Sequence, residues 1–183
     1  MLVGPPASGK STLARHLAAR LPAAVVQSDA VRKALVAAPE YTPEEHRRVF
    51  DAAHAAVARR LRAGQSVVFD ATNLEEEPRR TLYGIAASSY ARLLVARLAV
   101  SAAEARARLA RRAASRARGD LSDADWPVYQ MLAARAEPIQ GPHWVLNAAA
   151  SPDVLAALLV RRVDAIAAPE AANTRRCAAS QLR

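Results

Sequence analysis

The stretch GPPASGKST, residues 4–12, contains the pattern G-x-x-x-x-G-K-[ST] of the phosphate-binding P-loop, or Walker A motif. Glycines let the backbone turn tightly, so that successive N–H groups point at one anion. Lys10 places a positive charge on the β- and γ-phosphates of a nucleotide, and Ser11 offers a hydroxyl to Mg²⁺, which prefers oxygen ligands. The motif predicts an ATP and Mg²⁺ site formed by Gly4, Ala7, Ser8, Gly9, Lys10, Ser11 and Thr12.

The residues around this motif fit the strand before it and the helix after it that a P-loop requires. Leu13, Leu17 and Leu21 recur on one helical face, and Pro22 ends the helix. The strand consists of residues 1–3 alone, so we expect either a clipped strand or a true start farther upstream. The agreement of motif, apolar lead-in and amphipathic helix argues against a chance match on a Gly/Pro turn.

Length and composition predict a single soluble domain. The chain has 183 residues, of which 52% are hydrophobic, enough for one well-packed core. No apolar run approaches the roughly 20 residues of a membrane span, and no basic segment leads into an apolar one as in a signal peptide. The single cysteine, Cys177, excludes a disulfide framework. These features predict a cytoplasmic location.

The charge of the chain has two explanations. A net charge of +9 is typical of proteins that bind polyanions such as nucleic acid. However, Lys10 and Lys33 are the only lysines, and abundant arginine and alanine also result from a GC-rich genome. We favour this coding bias, and an aromatic content of 4% argues against an extensive surface for stacking bases.

Apolar strand segments alternate with amphipathic helices along the chain. Such alternation predicts an α/β fold of the P-loop NTPase kind, with a mostly parallel five-stranded sheet sandwiched by helices. The predicted strands are residues 1–3, 23–27, 67–70, 93–100 and 144–146. We assign residues 1–167 to one domain with a helical lid at about residues 105–125, and predict a disordered tail over residues 168–183.

Two further groups of polar residues follow predicted strands. Ligands of such sheets bind outside the carboxyl ends of the strands, where the P-loop, Asp29 and Asp70 should meet. Asp29 is placed to orient or deprotonate an acceptor hydroxyl, and Arg32 to hold an acidic substrate. Asp70 would contact Mg²⁺ through water or pair with Arg32, while Thr72 and Asn73 would bind substrate. The alternative is that Asp29 and Asn73 only cap helices and that Arg32 is a solvent-exposed residue.

Arg108, Arg112 and Arg116 recur every four residues and therefore share one helical face. This face would close over the nucleotide as a lid, with Arg112 and Arg116 neutralising charge in the transition state. A solvated basic helix is the alternative.

These segments resemble the P-loop kinases of the AAA-type ATP-binding group. That group is similar to the kinase domain of polynucleotide kinases and, more distantly, to gluconate kinase and zeta toxins. The matching segments are GPPASGKST, SDAVRK at residues 28–33, VVFDATN at residues 67–73 and GDLSDAD at residues 119–125. The resemblance implies an ATP-dependent kinase in which Asp29 is the general base, Arg32 holds the substrate and Asp70 supports that pair. It also implies lid arginines on the phosphates.

The sequence therefore predicts a kinase that transfers the ATP γ-phosphate to a hydroxyl. The acceptor remains open between a polynucleotide 5′ end and a small metabolite or antibiotic. The alternative is an ATP-binding or ATP-hydrolysing switch without a phosphorylated acceptor; a DNA-binding protein ranks last, because no groove-reading motif is present. No membrane partner is expected, and the oligomeric state is not predicted.

Overall fold

A computed structural model describes residues 1–40, 42–115 and 124–167. Within them, five parallel strands form one sheet in the order β2-β3-β1-β4-β5. The strands are β1 Leu2–Val3, β2 Ala23–Gln27, β3 Ser66–Asp70, β4 Ala96–Ala99 and β5 Trp144–Asn147. The predicted lid residues 116–123 and the predicted tail, residues 168–183, lie outside the described residues.

Seven helices of the described residues flank this sheet and alternate with its strands. They are α1 Lys10–Ala18, α2 Ser28–Leu35, α3 Pro43–Arg62, α4 Glu76–Ser88, α5 Ala102–Ser115, α6 Trp126–Ala134 and α7 Pro152–Ala167. The prediction of a parallel five-stranded α/β fold is confirmed.

The short strand β1 lies at the centre of the sheet. Leu2 is in register with Asp70 of β3 on one side and with Ala96 of β4 on the other. Leu2 and Val3 are both buried and belong to different apolar clusters, because successive strand residues point to opposite faces. Two residues are therefore enough to anchor the P-loop between two longer neighbours.

One apolar cluster covers each face of the sheet. On the first face, Leu13 and Leu17 of α1 pack with Leu155 and Leu159 of α7. On the second, residues of α3 and α4 such as Phe50 and Leu82 pack on the sheet. A smaller cluster of Ala105, Leu109 and Tyr129 joins α5 to α6. The helices are thus held by their apolar faces, which leaves the carboxyl edge of the sheet open for a cleft.

Local signals place several helix ends correctly. The Thr42 hydroxyl accepts a hydrogen bond from the backbone N–H of Glu45, with Pro43 in the first turn of α3. The prediction that Asp29 caps α2 is wrong, because Gln27 holds the cap position and no side chain caps that helix. Asp29 instead lies in the first turn of α2.

Candidate active site

A cleft of about 1350 Å³ lies at the carboxyl edge of the sheet. Its walls come from the P-loop, the start of α2, one face of α3, the loop after β3, the helices α5 and α6, and residues 148–152 after β5. Every wall except α3 and α6 follows the end of a parallel strand. The fold therefore concentrates chain segments far apart in sequence around one opening.

The P-loop has the backbone conformation that its glycines permit. Ala7 and Gly9 have left-handed φ angles of 59° and 94°. A Cβ atom on Gly4 would lie 2.7 Å from Ser8 Oγ and 3.1 Å from the Leu98 carbonyl oxygen. Gly4 also donates its N–H to the Thr72 carbonyl oxygen at 3.0 Å, which joins the P-loop to the loop after β3. A side chain at position 4 would therefore clash with Ser8 Oγ and with the Leu98 carbonyl oxygen.

Lys10 is held inside the P-loop. Its Nζ donates to the Pro5 carbonyl oxygen at 2.9 Å and to Ser8 Oγ at 3.4 Å, and the residue is 8% exposed. Burial lowers the pKa of its ammonium, the charges of Asp70 and Asp29 raise that pKa, and the charge of Arg112 lowers it. Lys10 and both aspartates line the same cleft.

Asp70 lies at the end of β3 and is 4% exposed. Its Oδ2 accepts a hydrogen bond from Gln27 Nε2 at 2.9 Å, which links the ends of the neighbouring strands β2 and β3. Both residues line the cleft, as does Ser11. No sequence pattern singles out Gln27, because its partner is 43 residues away along the chain.

The carboxylate that pairs with Arg32 is that of Glu45, rather than that of Asp70 as predicted. Arg32 Nη1 donates to Glu45 Oε1, and the two residues are 7% and 6% exposed. Arg32 lines the cleft, so the prediction of a solvent-exposed side chain is wrong for this residue. Arg32 lies in the last turn of α2 and Glu45 in the first turn of α3, and these helices pack together. The guanidinium therefore pairs with a carboxylate of α3 instead of Asp70.

Asp29 and Thr72 both line the cleft, in the first turn of α2 and in the loop after β3. Asn73 is not brought there. Its side chain is 1% exposed, and its Nδ2 donates to the Leu2 carbonyl oxygen at 2.7 Å. A left-handed φ of 48° turns Asn73 inward. This residue ties the loop after β3 to β1 and neither binds at the cleft nor caps α4, whose cap position is Glu75.

Two arginines of α5 reach the cleft. Arg112 donates to the carbonyl oxygen of Ala124, just before α6, and its charge acts on Lys10. Arg108 donates to the Ala7 carbonyl oxygen at 3.2 Å and to the Ala148 carbonyl oxygen at 2.6 Å. Arg116, the other predicted lid arginine, lies outside the described residues. The four-residue spacing included Arg108, but the sequence did not indicate that this member contacts the P-loop.

Arg79 of α4 supports the same edge from beneath and is fully buried. It contacts both the loop after β3 and the segment after α6. Its guanidinium donates to the carboxylate of Glu76 and to the carbonyl oxygens of Asn73, Leu74, Glu137 and Pro138. The segments that carry Thr72 and α6 are thereby fixed to one another.

The cleft therefore joins a P-loop with its lysine, two aspartates, a buried arginine and helices carrying further arginines. A family model described as an AAA domain matches residues 1–139. The chain belongs to this AAA-domain family. The matched range includes the P-loop, Asp29, Arg32 and Asp70 and ends after α6. No curated protein sequence matches the chain.

Solved structures of other P-loop proteins share the fold of this AAA-domain chain. The APS kinase of Mycobacterium tuberculosis, in complex with AMPPNP and APS, has a TM-score of 0.70 at 15% identity, over 89% of this chain and 95% of that one. A gluconokinase from Sinorhizobium meliloti 1021 has a TM-score of 0.64 at 20% identity, over 90% and 93%. Kti12 of Chaetomium thermophilum, in complex with ADP-AlF3, has a TM-score of 0.70 at 21% identity, over 92% and 98%.

The family match and these structural similarities together show a P-loop NTPase fold that is shared with kinases. Among the residues that the structure describes, none of the helices combines the length and the apolar character needed to cross a membrane.

Proposed function

We propose that this protein is an ATP-dependent kinase that transfers the γ-phosphate of ATP to a hydroxyl group. The observation that carries this proposal is the position of two aspartates, Asp29 and Asp70, whose charges both act on Lys10 in one cleft. Hydrolysis of ATP needs only a positioned water, whereas a kinase also needs a wall that binds the acceptor. Arg32, Thr72 and the cleft face of α3 provide such a wall beside the P-loop.

Asp29 is the proposed general base. It lines the cleft near Lys10, so its carboxylate can orient an acceptor hydroxyl toward a γ-phosphate held by the P-loop. During transfer, the acceptor oxygen forms a bond to the γ-phosphorus, the bond to the β,γ-bridging oxygen breaks, and Asp29 takes the hydroxyl proton. Arg32 and Thr72 would bind the acceptor molecule.

The residues at the nucleotide end fit Mg²⁺. The ion prefers oxygen ligands and is commonly held by one or two protein oxygens together with nucleotide phosphates and water. Ser11 and Asp70 offer a hydroxyl and a carboxylate in the cleft. The described residues contain no cluster of three or more His, Cys, Asp or Glu that could hold a metal without a nucleotide. Bound Mg²⁺ would neutralise phosphate charge during transfer.

The arginines of α5 complete the proposal. Arg112 reaches the cleft near Lys10 and would stabilise the negative charge that develops on the transferring phosphoryl group. Arg116, which lies outside the described residues, is proposed to share this role. The helices α5 and α6 would then act as the lid that excludes water from ATP.

A panel of acceptors tests the proposal. Radiolabelled ATP is incubated with 5′-OH oligonucleotides, sugars, sugar acids and aminoglycosides, and labelled products are separated. We expect one class to be phosphorylated, which also decides between a polynucleotide end and a small metabolite or antibiotic. Hydrolysis of ATP without any labelled acceptor would favour an ATP-hydrolysing switch or accessory module instead. That alternative further predicts that Lys10→Ala abolishes a nucleotide-dependent exchange of binding partners.

The role of Asp29 is tested with Asp29→Ala. We expect transfer to fall by about 100-fold or more, the usual contribution of a general base, with little change in ATP affinity. Asp164→Asn is the matched control, because Asp164 is an exposed aspartate of α7 away from the cleft. Full transfer by Asp29→Ala would refute the assignment of the base.

A further inference from the structure

The carboxylate of Glu45 binds two separate parts of the chain. Oε1 accepts a hydrogen bond from Arg32 of α2, and Oε2 accepts one from the backbone N–H of Glu40 at 2.7 Å. Glu45 lies three residues after Thr42, where a capping box would turn its side chain back toward the Thr42 N–H. Here the Thr42 half of that box is present, while the Glu45 carboxylate is directed to Arg32 and Glu40.

The cleft exposes one member of this ion pair and hides the other. Arg32 lines the cleft, whereas Glu45 is not among the residues of its wall. Glu45 can therefore affect an acceptor only through Arg32. A long arginine side chain has many rotamers in solution, and a buried, charge-assisted hydrogen bond selects one of them.

We propose that Glu45 is the positioning residue for Arg32, directing its guanidinium toward the acceptor. This inference rests on the proposed kinase function and assigns different roles to two carboxylates. Glu45 balances the charge of Arg32 at the acceptor end, and Asp70 stays at the nucleotide end with Gln27 and Lys10.

A double-mutant cycle tests this inference with the full-length protein and whichever acceptor the panel identifies. Glu45→Gln, Arg32→Gln and the double variant are compared for acceptor KM, kcat and affinity for a non-hydrolysable ATP analogue. We expect Glu45→Gln to raise acceptor KM about tenfold, the effect of a charged hydrogen bond, and to leave nucleotide affinity unchanged. In the Arg32→Gln background, Glu45→Gln should have no further effect on acceptor KM.

Asp164→Asn is the matched control, because it also replaces a carboxylate by its amide. Asp164 is an exposed residue of α7 and is not part of the cleft wall. Its replacement should leave acceptor KM unchanged.

Three results would overturn the inference while leaving the kinase proposal intact. The first is an unchanged acceptor KM in Glu45→Gln. The second is an equal effect of Glu45→Gln with and without Arg32, which would mean a general structural role. If Glu45→Gln does not fold, Glu45→Asp is measured instead. This variant keeps the charge on a shorter side chain and should still raise acceptor KM. A wild-type acceptor KM in Glu45→Asp is the third result. Failure of the wild-type protein to label any acceptor would instead refute the proposed function, and this inference with it.

Discussion

Gln27 donates a hydrogen bond to Asp70 over 2.9 Å and so connects the last residues of two adjacent strands. An amide that binds one carboxylate oxygen limits rotation about the side chain of Asp70. The carboxylate is thereby held in the cleft that Lys10 also lines, and its charge raises the pKa of Lys10. This contact has a measurable consequence for the nucleotide end of the cleft.

We expect Gln27→Ala to weaken the affinity for Mg²⁺ in the nucleotide complex. Loss of one hydrogen bond to a carboxylate should raise the Mg²⁺ concentration for half-maximal binding of an ATP analogue by about threefold to tenfold. Titration calorimetry at several Mg²⁺ concentrations measures the change. Gln65→Ala is the control, because Gln65 is an exposed glutamine just before the other end of β3. Equal Mg²⁺ dependence in both variants would contradict the role of Gln27.

Gly4→Ala should destabilise the protein and weaken nucleotide binding. The added methyl group would overlap Ser8 Oγ at 2.7 Å and would lie 3.1 Å from the backbone carbonyl oxygen of Leu98. We expect a loss of about 1–3 kcal/mol in the free energy of unfolding, measured in urea. Gly84→Ala is the matched control. No atom lies within 4 Å of its added Cβ in α4, so this variant should be more stable by about 0.5–1 kcal/mol. Equal stability of the two variants would disprove the steric argument.

Replacement of Arg79 should be among the most destabilising changes on α4. Arg79→Leu leaves the Glu76 carboxylate and four carbonyl oxygens, two of them buried, without their donor. We expect a loss of about 3–5 kcal/mol in the free energy of unfolding. Arg80→Leu, at the exposed neighbouring position, should change stability by about 0.5 kcal/mol or less. A similar small effect at both positions would show that the Arg79 contacts contribute little.

His54 should contribute to acid destabilisation. Its ring packs against Phe50 and Phe69 at centroid distances of 5.7 and 5.6 Å, and burial lowers its pKa in the folded protein. As pH falls below the usual histidine pKa of 6.5, the unfolded chain takes up a proton before the folded protein does. The contribution of neutral His54 to the free energy of unfolding is therefore fully present above pH 6.5. It is lost as pH falls toward the lower pKa that His54 has in the folded protein.

His54→Phe removes this titration and keeps a planar ring. We expect its free energy of unfolding to fall less than that of the wild type between pH 7.5 and 5.5, in urea titrations at each pH. Parallel pH curves for the two proteins would exclude His54 as a source of the acid sensitivity.

Much of the fold followed from the sequence because its signals are local. Periodic apolar residues predicted the amphipathic helices, and continuous apolar runs predicted β2 and β3. The predicted β4 was too long: it contains only Ala96–Ala99. The predicted first helix also extended too far, since α1 ends at Ala18. Strand and helix ends depend on neighbouring elements as well as on the chain itself.

The sequence by itself determined that a P-loop exists and which residues compose it, because those residues are contiguous and their spacing encodes a backbone conformation. It also placed Asp29, Arg32 and Asp70 at one edge, since parallel strands share the direction of their ends. Only the tertiary structure decided which groups pair. Arg32 pairs with Glu45 rather than with Asp70, Asp70 pairs with Gln27, and Asn73 binds β1 instead of lining the cleft. Those partners lie 13 to 71 residues apart, so their distances depend on how helices pack on the sheet, which no local pattern specifies.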